Sequence, residues 1–308
     1  MTAVYSLQAR KATARFDLAR GTDSPERIGL IAGNGTLPLL VAETLQLHGK
    51  NPFVVGIEGE ADPKLRAFDF TSVYTGHVGR VVSALKAAKV TDVVMVGGVR
   101  SRPKYHRIIP DWTTLKFAAR LLPRLGAGDD ALLRGVISTI EDVGIRVRGV
   151  HEVVPDLLAP AGHLAGPKPD QATIQSLDTA MRGALALGKL DAGQAAVAIR
   201  KRLIALEGAE GTDLMLERVV NLRQIERLPD NRGGALVKIA KPGQDLRADL
   251  PTIGPETIIK ASNAKLKAVA VHAGHALVAE IEHTKTLARE HKISLIGLDP
   301  QRLLSGAD

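Results

Sequence analysis

The stretch KPGQDLRADLPTIG, residues 241–254, places three charged side chains at alternate positions: Asp245, Arg247 and Asp249. In an extended backbone, residues i, i+2 and i+4 lie on one face, so these side chains would converge on the same volume. Two carboxylates and a guanidinium gathered in this way suit a metal ion and a phosphorylated substrate. The alternative is a salt-bridged loop without catalytic function, in which Arg247 only bridges its two neighbours.

The segment AGNGTLP follows a short apolar run near the start of the globular part of the chain. Its Gly33, Asn34 and Gly35 would let backbone N–H groups approach a phosphate at the start of the next helix. The segment is not a complete dinucleotide-binding fingerprint, because Pro38 stands where the third glycine is needed. A tight strand–helix turn without a ligand is therefore the alternative interpretation.

Two further segments follow predicted strands. YTGHVGR contains Gly76 and His77, and His77 is better explained as a turn residue than as a catalyst because no carboxylate lies beside it. GGVRSRP contains Arg100 and Arg102 at the carboxyl end of a predicted strand, where ligands of open α/β sheets collect. These arginines would bind a phosphate, and an exposed basic loop is the alternative.

The second half of the chain contains two weaker candidates. Asp213 in EGTDLMLER lies where a helix is predicted to begin, and aspartate is favoured at the N-cap, where it contributes about 1 kcal/mol. Together with Glu217, Asp213 would alternatively form a small acidic site. His272 and His275 lie three residues apart, but the segment lacks the HExxH frame of zinc enzymes, so they are weak metal candidates.

Composition narrows the function further. The net charge of +8, from 41 basic and 33 acidic residues, favours anionic partners. One Trp, three Tyr and five Phe supply few stacking platforms, so a nucleic acid is a poor candidate. The absence of cysteine excludes disulfides, thiolate metal sites and a cysteine nucleophile. No apolar run reaches the roughly 18 residues that a membrane span needs.

The elements that must position these residues can be read from hydrophobic spacing. Residues 27–155 alternate strand, helix and strand twice, which predicts a Rossmann-like α/β domain with a parallel sheet. The proline-rich residues 156–170 predict a linker, and residues 171–308, with a hairpin around RKR, predict a second, mixed α/β domain. Residues 1–26 lack periodicity and are predicted to be an N-terminal extension.

Five segments in unbroken order resemble one family: IGLIAGNGTLPLLVAE, VVMVGGVRSRP, DLLAPAGHL, EGTDLMLERV and KPGQDLRADLPTIG. It is the LpxI family of UDP-2,3-diacylglucosamine pyrophosphatases of lipid A biosynthesis, and the likeness runs from about Arg27 to the C-terminus. The resemblance implies hydrolysis of the substrate to UMP and 2,3-diacylglucosamine 1-phosphate (lipid X), with attack of water on the sugar-side phosphorus. It also implies a dependence on Mg²⁺.

The resemblance further implies a homodimer that is cytoplasmic, makes peripheral contact with the acidic inner-membrane surface and holds its ligand in a cleft between the two domains. The expected catalytic residues, which are also the expected metal ligands, are Asp213, Asp245 and Asp249. The expected substrate-binding residues are Gly33, Asn34, Gly35, Gly76, His77, Arg100, Arg102, Thr212, Arg247 and Thr252.

A non-catalytic nucleotide-binding or NAD-binding protein built on the first domain is the competing interpretation. It requires a complete glycine fingerprint and an acidic residue about 20 positions further on. Glu58 and Glu60 lie at about that distance, but the fingerprint is incomplete.

Overall fold

The computed structural model of the protein describes residues 27–99, 129–247 and 250–300. The predicted N-terminal extension, residues 1–26, lies outside the described residues. Within them the chain forms two large sheets, each covered by helices, and one small two-stranded sheet. The predicted α/β class, with a parallel sheet in the first half and a mixed sheet in the second, is confirmed.

The first sheet consists of parallel strands in the order β3-β2-β1-β4-β5. They are β1 Ile28–Ala32, β2 Phe53–Ile57, β3 Asp69–Val73, β4 Asp92–Val96 and β5 Arg146–Arg148. The chain leaves β1 first toward β2 and later toward β4, so the carboxyl ends of β1 and β4 flank the point where the strand order reverses. Ligands of open α/β sheets bind at such a switch point.

Helices cover both faces of this sheet. They are α1 Leu37–Leu47, α2 Val78–Ala87, α3 Asp129–Glu141 and α4 Val150–Val153, with 3₁₀ turns at Pro63–Ala67 and Pro155–Leu157. Because successive side chains of a strand point to opposite faces, the strands supply two separate cores. Leu30 of β1 belongs to the same buried cluster as Leu45 of α1. Val55 of β2 belongs to the other cluster, with Leu85 of α2 and Ile140 of α3.

The second sheet is mixed, in the order β6-β13-β11-β9-β7-β8. Its strands are β6 Gly162–Ala165, β7 Ala195–Ile199, β8 Arg202–Leu206, β9 Ala235–Lys238, β11 Ala268–His272 and β13 Ser294–Leu298. Strands β9, β11 and β13 are parallel, whereas β6 and β7 run antiparallel to their neighbours. The predicted hairpin around RKR is confirmed as β7–β8. Strand β6 comes from the segment predicted to be a linker.

Among the residues that the structure describes, four helices pack on the second sheet. They are α5 Gln171–Lys189, α6 Gly211–Gln224, α7 Pro255–Asn263 and α8 Ile281–Glu290. Helix α5 supplies Met181 to the cluster on one face, and Leu216 of α6 and Ile258 of α7 belong to the cluster on the other. In the described part of the chain, no helix combines the length and the apolar character that crossing a membrane requires.

A small parallel sheet joins the two halves. It pairs β10 Thr252–Ile253 with β12 Leu277–Val278. Leu250 and Leu277 come from the second half of the chain but are buried in the α1-side cluster of the first half, and Leu158 packs against the same cluster. The segment after β9 is therefore anchored in the core of the first sheet's unit.

Two glycine turns interlock at the switch point of the first sheet. The N–H of Gly33 donates to Val96 O at 2.8 Å, and the N–H of Asn34 donates to Gly98 O at 2.7 Å. A Cβ added at Gly33 would lie 2.4 Å from Gly98 O and 2.8 Å from Gly97 O. Glycine is required at position 33 because the two backbones touch there.

We predict that Gly33→Ala lowers the free energy of unfolding by about 1–3 kcal/mol, because the added methyl group forces the two backbones apart. The matched control is Gly98→Ala in the other of the two turns, where an added Cβ has nothing within 4 Å. Urea unfolding followed by circular dichroism measures both. Equal stability of Gly33→Ala and Gly98→Ala would show that the interlocked turns are less tight than described.

Candidate active site

Among the residues that the structure describes, the site candidates of the second half lie at one edge of the second sheet. Strands β8, β9 and β11 run in the same direction, so the segments after them leave from the same edge. Thr212 and Asp213 follow β8, Asp245 and Arg247 follow β9, and His272 is the last residue of β11. The carboxyl edge of the sheet is thus where the sequence candidates gather.

Arg247 and Asp245 form a bidentate ion pair. The Arg247 Nε donates to Asp245 Oδ1 at 3.0 Å and Nη2 donates to Oδ2 at 2.8 Å, and the backbone N–H of Arg247 donates to Oδ1 at 3.0 Å. This pair lowers the pKa of the Asp245 carboxyl and raises the pKa of the Arg247 guanidinium, although partial burial opposes both shifts. Both groups therefore stay charged near neutral pH, and both Asp245 oxygens already have a partner.

Arg247 also contacts the first half of the chain. Its Nη1 donates to Glu141 Oε1 at 2.8 Å, and Glu141 is the last residue of α3. Arg134, seven residues earlier on the same helix, adds its positive charge to the influences that lower the pKa of Asp245. Sequence analysis missed Glu141 and Arg134, because Glu141 lies 106 residues from Arg247 in sequence, Arg134 lies farther still, and no local spacing indicates either.

Three of the predicted residues, Arg100, Arg102 and Asp249, lie outside the described residues, and their roles stay predictions. Within the described ranges, no group of three or more His, Asp or Glu side chains is arranged to hold a metal ion. The predicted metal-ligand set therefore depends on Asp249 together with carboxylates that already have cationic partners.

Asp213 links two helices on the other side of the site. The interpretation of Asp213 as an N-cap is wrong, because Glu210 occupies that position and Asp213 is the third residue of α6. Its carboxylate lies 3.1 Å from Lys260 Nζ on α7, and Lys260 also lies 3.5 Å from Glu217. Burial would lower the pKa of Lys260, but the two carboxylates outweigh it and raise that pKa. This ion pair ties α6 to α7.

Thr212 is held by a buried carboxylate that sequence analysis missed. The Thr212 hydroxyl donates to Glu207 Oε1, and Glu207 Oε2 accepts the backbone N–H of Gln194 at 2.8 Å. Glu207 is only 7% exposed, and it directly follows the last residue of β8. A carboxylate immediately after a strand is the only signal in the sequence, and it is too common to be diagnostic.

Thr252 helps to close the loop that contains Arg247. Its hydroxyl donates to Leu250 O at 3.0 Å, and its carbonyl accepts a hydrogen bond from Lys238 Nζ at 3.2 Å. Lys238 is the last residue of β9. The two ends of the loop are therefore joined directly, which holds Arg247 close to the sheet edge.

In the first half, the glycine turns leave only part of their backbone for a ligand. The N–H groups of Gly33 and Asn34 are donated within the interlocked turns, whereas Gly35 has a φ of +99° and an added Cβ there would have nothing within 4 Å. Gly76 also has a positive φ, of +91°, and His77 is buried at the start of α2. The open side of the first turn is thus at Gly35.

His272, at the end of β11, and His275, three residues later, stack on each other. The ring centroids of His272 and His275 are 4.4 Å apart with an interplanar angle of 25°. Burial, together with the charge of His275, lowers the pKa of His272 to about 4, although Asp299 opposes the shift. His272 is therefore neutral at neutral pH, when it is able to stack without charge repulsion.

A pocket of about 190 Å³ lies between α3, the end of α5 and the start of the Arg247 loop. Its lining residues are Arg134, Gly188, Lys189, Asp191, Lys241, Pro242, Gly243 and Gln244. Lys241 Nζ lies 2.7 Å from Asp191 Oδ1. With three cations and one carboxylate, the pocket is suited to an anionic group, and it draws residues from both halves of the chain.

Comparison with known proteins covers nearly the whole chain. The family model of the LpxI N-terminal domain matches residues 27–157, and that of the LpxI C-terminal domain matches residues 160–296. A Caulobacter vibrioides protein named UDP-2,3-diacylglucosamine pyrophosphatase LpxI is 37% identical over 276 residues, which is 89% of this chain and 98% of that protein.

Two solved structures show a much weaker similarity. L-threonine dehydrogenase from Phytophthora infestans is 13% identical, with 47% of this chain and 41% of that chain covered and a TM-score of 0.25. A biotin carboxylase from Campylobacter jejuni is 12% identical, with 65% and 42% covered and a TM-score of 0.24. These two carry no argument. The two domain matches and the 37% identity to the Caulobacter protein show that the chain belongs to the LpxI family.

Proposed function

We propose that this protein is a UDP-2,3-diacylglucosamine pyrophosphatase. It hydrolyses the pyrophosphate bond of the nucleotide sugar and releases UMP and 2,3-diacylglucosamine 1-phosphate (lipid X). The observation that carries the proposal is the match to both LpxI domains together with 37% identity to a relative of that name over 89% of the chain. Because both domains match, the proposal covers the first sheet as well as the candidate catalytic loop.

The reaction site proposed here lies between the two halves of the chain, around Arg247. A guanidinium has five N–H donors, and three of those of Arg247 are given to Asp245 and Glu141. The other two have no partner among the residues that the structure describes, and they are the proposed donors to phosphate oxygens. Pyrophosphate hydrolysis depends mainly on charge neutralisation and positioning, which a fixed guanidinium supplies. The basic pocket beside Gln244 and the open side of the turn at Gly35 are the proposed further contacts for the substrate.

Asp249 is the proposed carboxylate that holds Mg²⁺ or orients the attacking water. A bound Mg²⁺ would supply charge neutralisation at the pyrophosphate oxygens. Asp245 and Asp213 are further proposed ligands, but their carboxylates are paired with Arg247 and Lys260. Each would have to exchange its cationic partner for the metal. In the absence of that exchange, Asp245 contributes by holding Arg247 in place.

The remaining parts of the proposal concern location and partners. A diacylated substrate resides in a membrane, and the net charge of +8 suits an acidic membrane surface. We therefore propose a cytoplasmic protein in peripheral contact with the inner membrane. A homodimer is proposed from the family resemblance. A nucleic-acid partner is not proposed.

The alternative of a non-catalytic nucleotide- or NAD-binding protein has less support. The first turn has Pro38 in place of the third glycine, and its Gly33 and Asn34 N–H groups are donated to backbone carbonyls. Fewer N–H groups are thus left for a dinucleotide pyrophosphate than in a complete fingerprint.

The purified protein is expected to release UMP from UDP-2,3-diacylglucosamine in a detergent-micelle assay with Mg²⁺. Excess chelator is expected to abolish the reaction, and added Mg²⁺ to restore it, because neutralising the pyrophosphate is a large part of the barrier. UMP is measured by anion-exchange chromatography. Release at an undiminished rate in chelator would remove the metal from the mechanism, and no release under any condition would contradict the proposed activity.

Asp249→Ala is expected to lower kcat by about 100-fold or more, as removal of a metal ligand or general base does. The far-UV circular dichroism spectrum and the melting temperature should stay close to those of the unchanged protein. Asp178→Ala, on the surface of α5, is the matched control for loss of a carboxylate. A folded Asp249→Ala protein with near-normal kcat would show that this residue has no catalytic role.

Glu141→Ala is expected to lower kcat/KM by about tenfold, because one of the two carboxylates that orient Arg247 is removed. Arg247→Ala is expected to lower it further. In the Arg247→Ala background, Glu141→Ala should have no additional effect, since the two residues act through the same contact. Additive losses in the double variant would contradict a shared role.

A further inference from the structure

Three leucines are exposed along one border of the second sheet. Strand β8 is the last strand of that sheet. Its Leu203 and Leu206 are 41% and 40% exposed, and Leu190, just after α5, is 77% exposed. The register pairs Leu203 with Ala198 and Leu206 with Ala196, and both alanines belong to the core beneath α5. Leu203 and Leu206 therefore lie on the α5 face of the sheet.

Contacts with glycines place Leu190 beside these two leucines. A Cβ added at Gly183 of α5 would lie 2.6 Å from Leu203 Cδ2, so Leu203 packs directly on that side of the helix. Leu190 is seven residues after Gly183, which keeps it on the same side. Gly193, three residues further, touches the backbone of Glu207 next to Leu206. The three leucines thus form one exposed apolar stripe.

Basic residues border this stripe at both ends. Arg200, Lys201 and Arg202 form the tip of the β7–β8 hairpin, and all three are exposed. Lys189, at the other end, is exposed as well. Among the residues that the structure describes, none of these four side chains forms an ion pair with a carboxylate.

The exposed Leu214 has a different setting. Leu214 on α6 is 53% exposed, but the charges around it are paired, Asp213 with Lys260 and Arg218 with Glu210. Exposed apolar side chains beside unpaired cations are the combination by which proteins bind the interface of anionic membranes. Leu190, Leu203 and Leu206, with the four cations, are called the β8 edge below.

We propose that the β8 edge is the surface by which this protein docks on a membrane that contains anionic lipids. The proposal rests on the proposed function, because the diacylated substrate would be held in such a membrane. A second copy of the chain is the other conceivable occupant of an exposed sheet edge. Three consecutive cations at the strand's start disfavour it, since charged residues are the usual protection of edges against pairing.

The β8 edge is continuous with the candidate active site. Gly188, Lys189 and Asp191 on either side of Leu190 line the basic pocket, and the pocket's other wall includes Lys241 and Gln244 at the start of the Arg247 loop. A lipid bound with its chains against the leucines would have its anionic headgroup near this pocket. Docking and substrate entry would therefore take place on one side of the molecule.

Vesicle co-sedimentation without substrate tests the docking surface. The unchanged protein is expected to bind vesicles of phosphatidylethanolamine and phosphatidylglycerol, and to bind pure phosphatidylcholine vesicles at least about tenfold more weakly. Lys201→Glu with Arg202→Glu, and separately Leu203→Ser with Leu206→Ser, should each lower binding to the anionic vesicles by about tenfold or more. The charge-reversed pair keeps the test valid if the leucine variant fails to fold.

Matched controls change the same residue types elsewhere. Lys64→Glu with Arg66→Glu alters two exposed cations of the first half, and Leu214→Ser alters an exposed leucine of α6. Both are expected to leave vesicle binding within about twofold of the unchanged protein. Equal losses in the controls and in the β8-edge variants would overturn the proposal, as would binding that no variant affects. A change in oligomeric state with unchanged vesicle binding would overturn it in favour of a second copy.

Hydrolysis assays separate this proposal from the proposed function. The β8-edge variants should hydrolyse UDP-2,3-diacylglucosamine in detergent micelles at the normal rate, and vesicle-embedded substrate about tenfold more slowly. Anionic-vesicle binding that depends on the β8 edge, in a protein without hydrolytic activity, would support the docking surface and contradict only the pyrophosphatase. Normal hydrolysis of vesicle-embedded substrate by the variants would overturn the docking surface alone.

Discussion

A single guanidinium, that of Arg247, lies between carboxylates from the two halves of the chain. It forms ion pairs with Asp245 of the same loop and with Glu141 at the end of α3. Arg247 is about one-third exposed, and partly exposed ion pairs of this kind contribute little to stability. Their effect is on geometry. The loop after β9 is held against the first unit by this contact on one side and by the burial of Leu250 on the other, so the position of the loop depends on both units being folded.

The other polar groups of the candidate site also have partners already. Each carboxylate in the described part of it already has a cation or a hydrogen-bond donor: Asp245 has Arg247, Asp213 has Lys260, and the buried Glu207 has Thr212 and a backbone N–H. In the first unit, the backbone N–H groups of Gly33 and Asn34 are likewise donated within the interlocked turns. A substrate or a metal ion must therefore compete with existing partners or use donors such as the two N–H groups of Arg247 that have no partner among the described residues. If a ligand replaces these partners on binding, the charged groups of the site are never left without a partner, even when no ligand is bound.

Much of the fold was predictable from local patterns in the sequence. Apolar runs such as FVVGI and AAVAI mark buried strands, and glycines at 33 and 97 mark turns in which backbones touch. The RKR hairpin follows from polar residues between two apolar runs. Other local inferences did not hold: Asp213 is favoured at an N-cap by residue type, but Glu210 occupies that position. The strand β6 lies in a segment whose prolines suggest a linker, because pairing with β13 is decided by a partner about 130 residues away in sequence.

By itself, the sequence determined the class of fold, the order of its elements and the family. Hydrophobic periodicity and short motifs are local patterns, and they can be read without knowing which residues lie close together in space. The sequence also predicted that the side chains of Asp245 and Arg247 lie together, but for an extended backbone, whereas the structure has a turn at Leu246 and Arg247. Only the tertiary structure decided that Glu141 completes their network, that Lys260 pairs with Asp213, and that the leucines of the β8 edge border exposed cations. These contacts join residues distant along the chain. Their free energies depend on distance and burial in space, which no spacing in the sequence encodes.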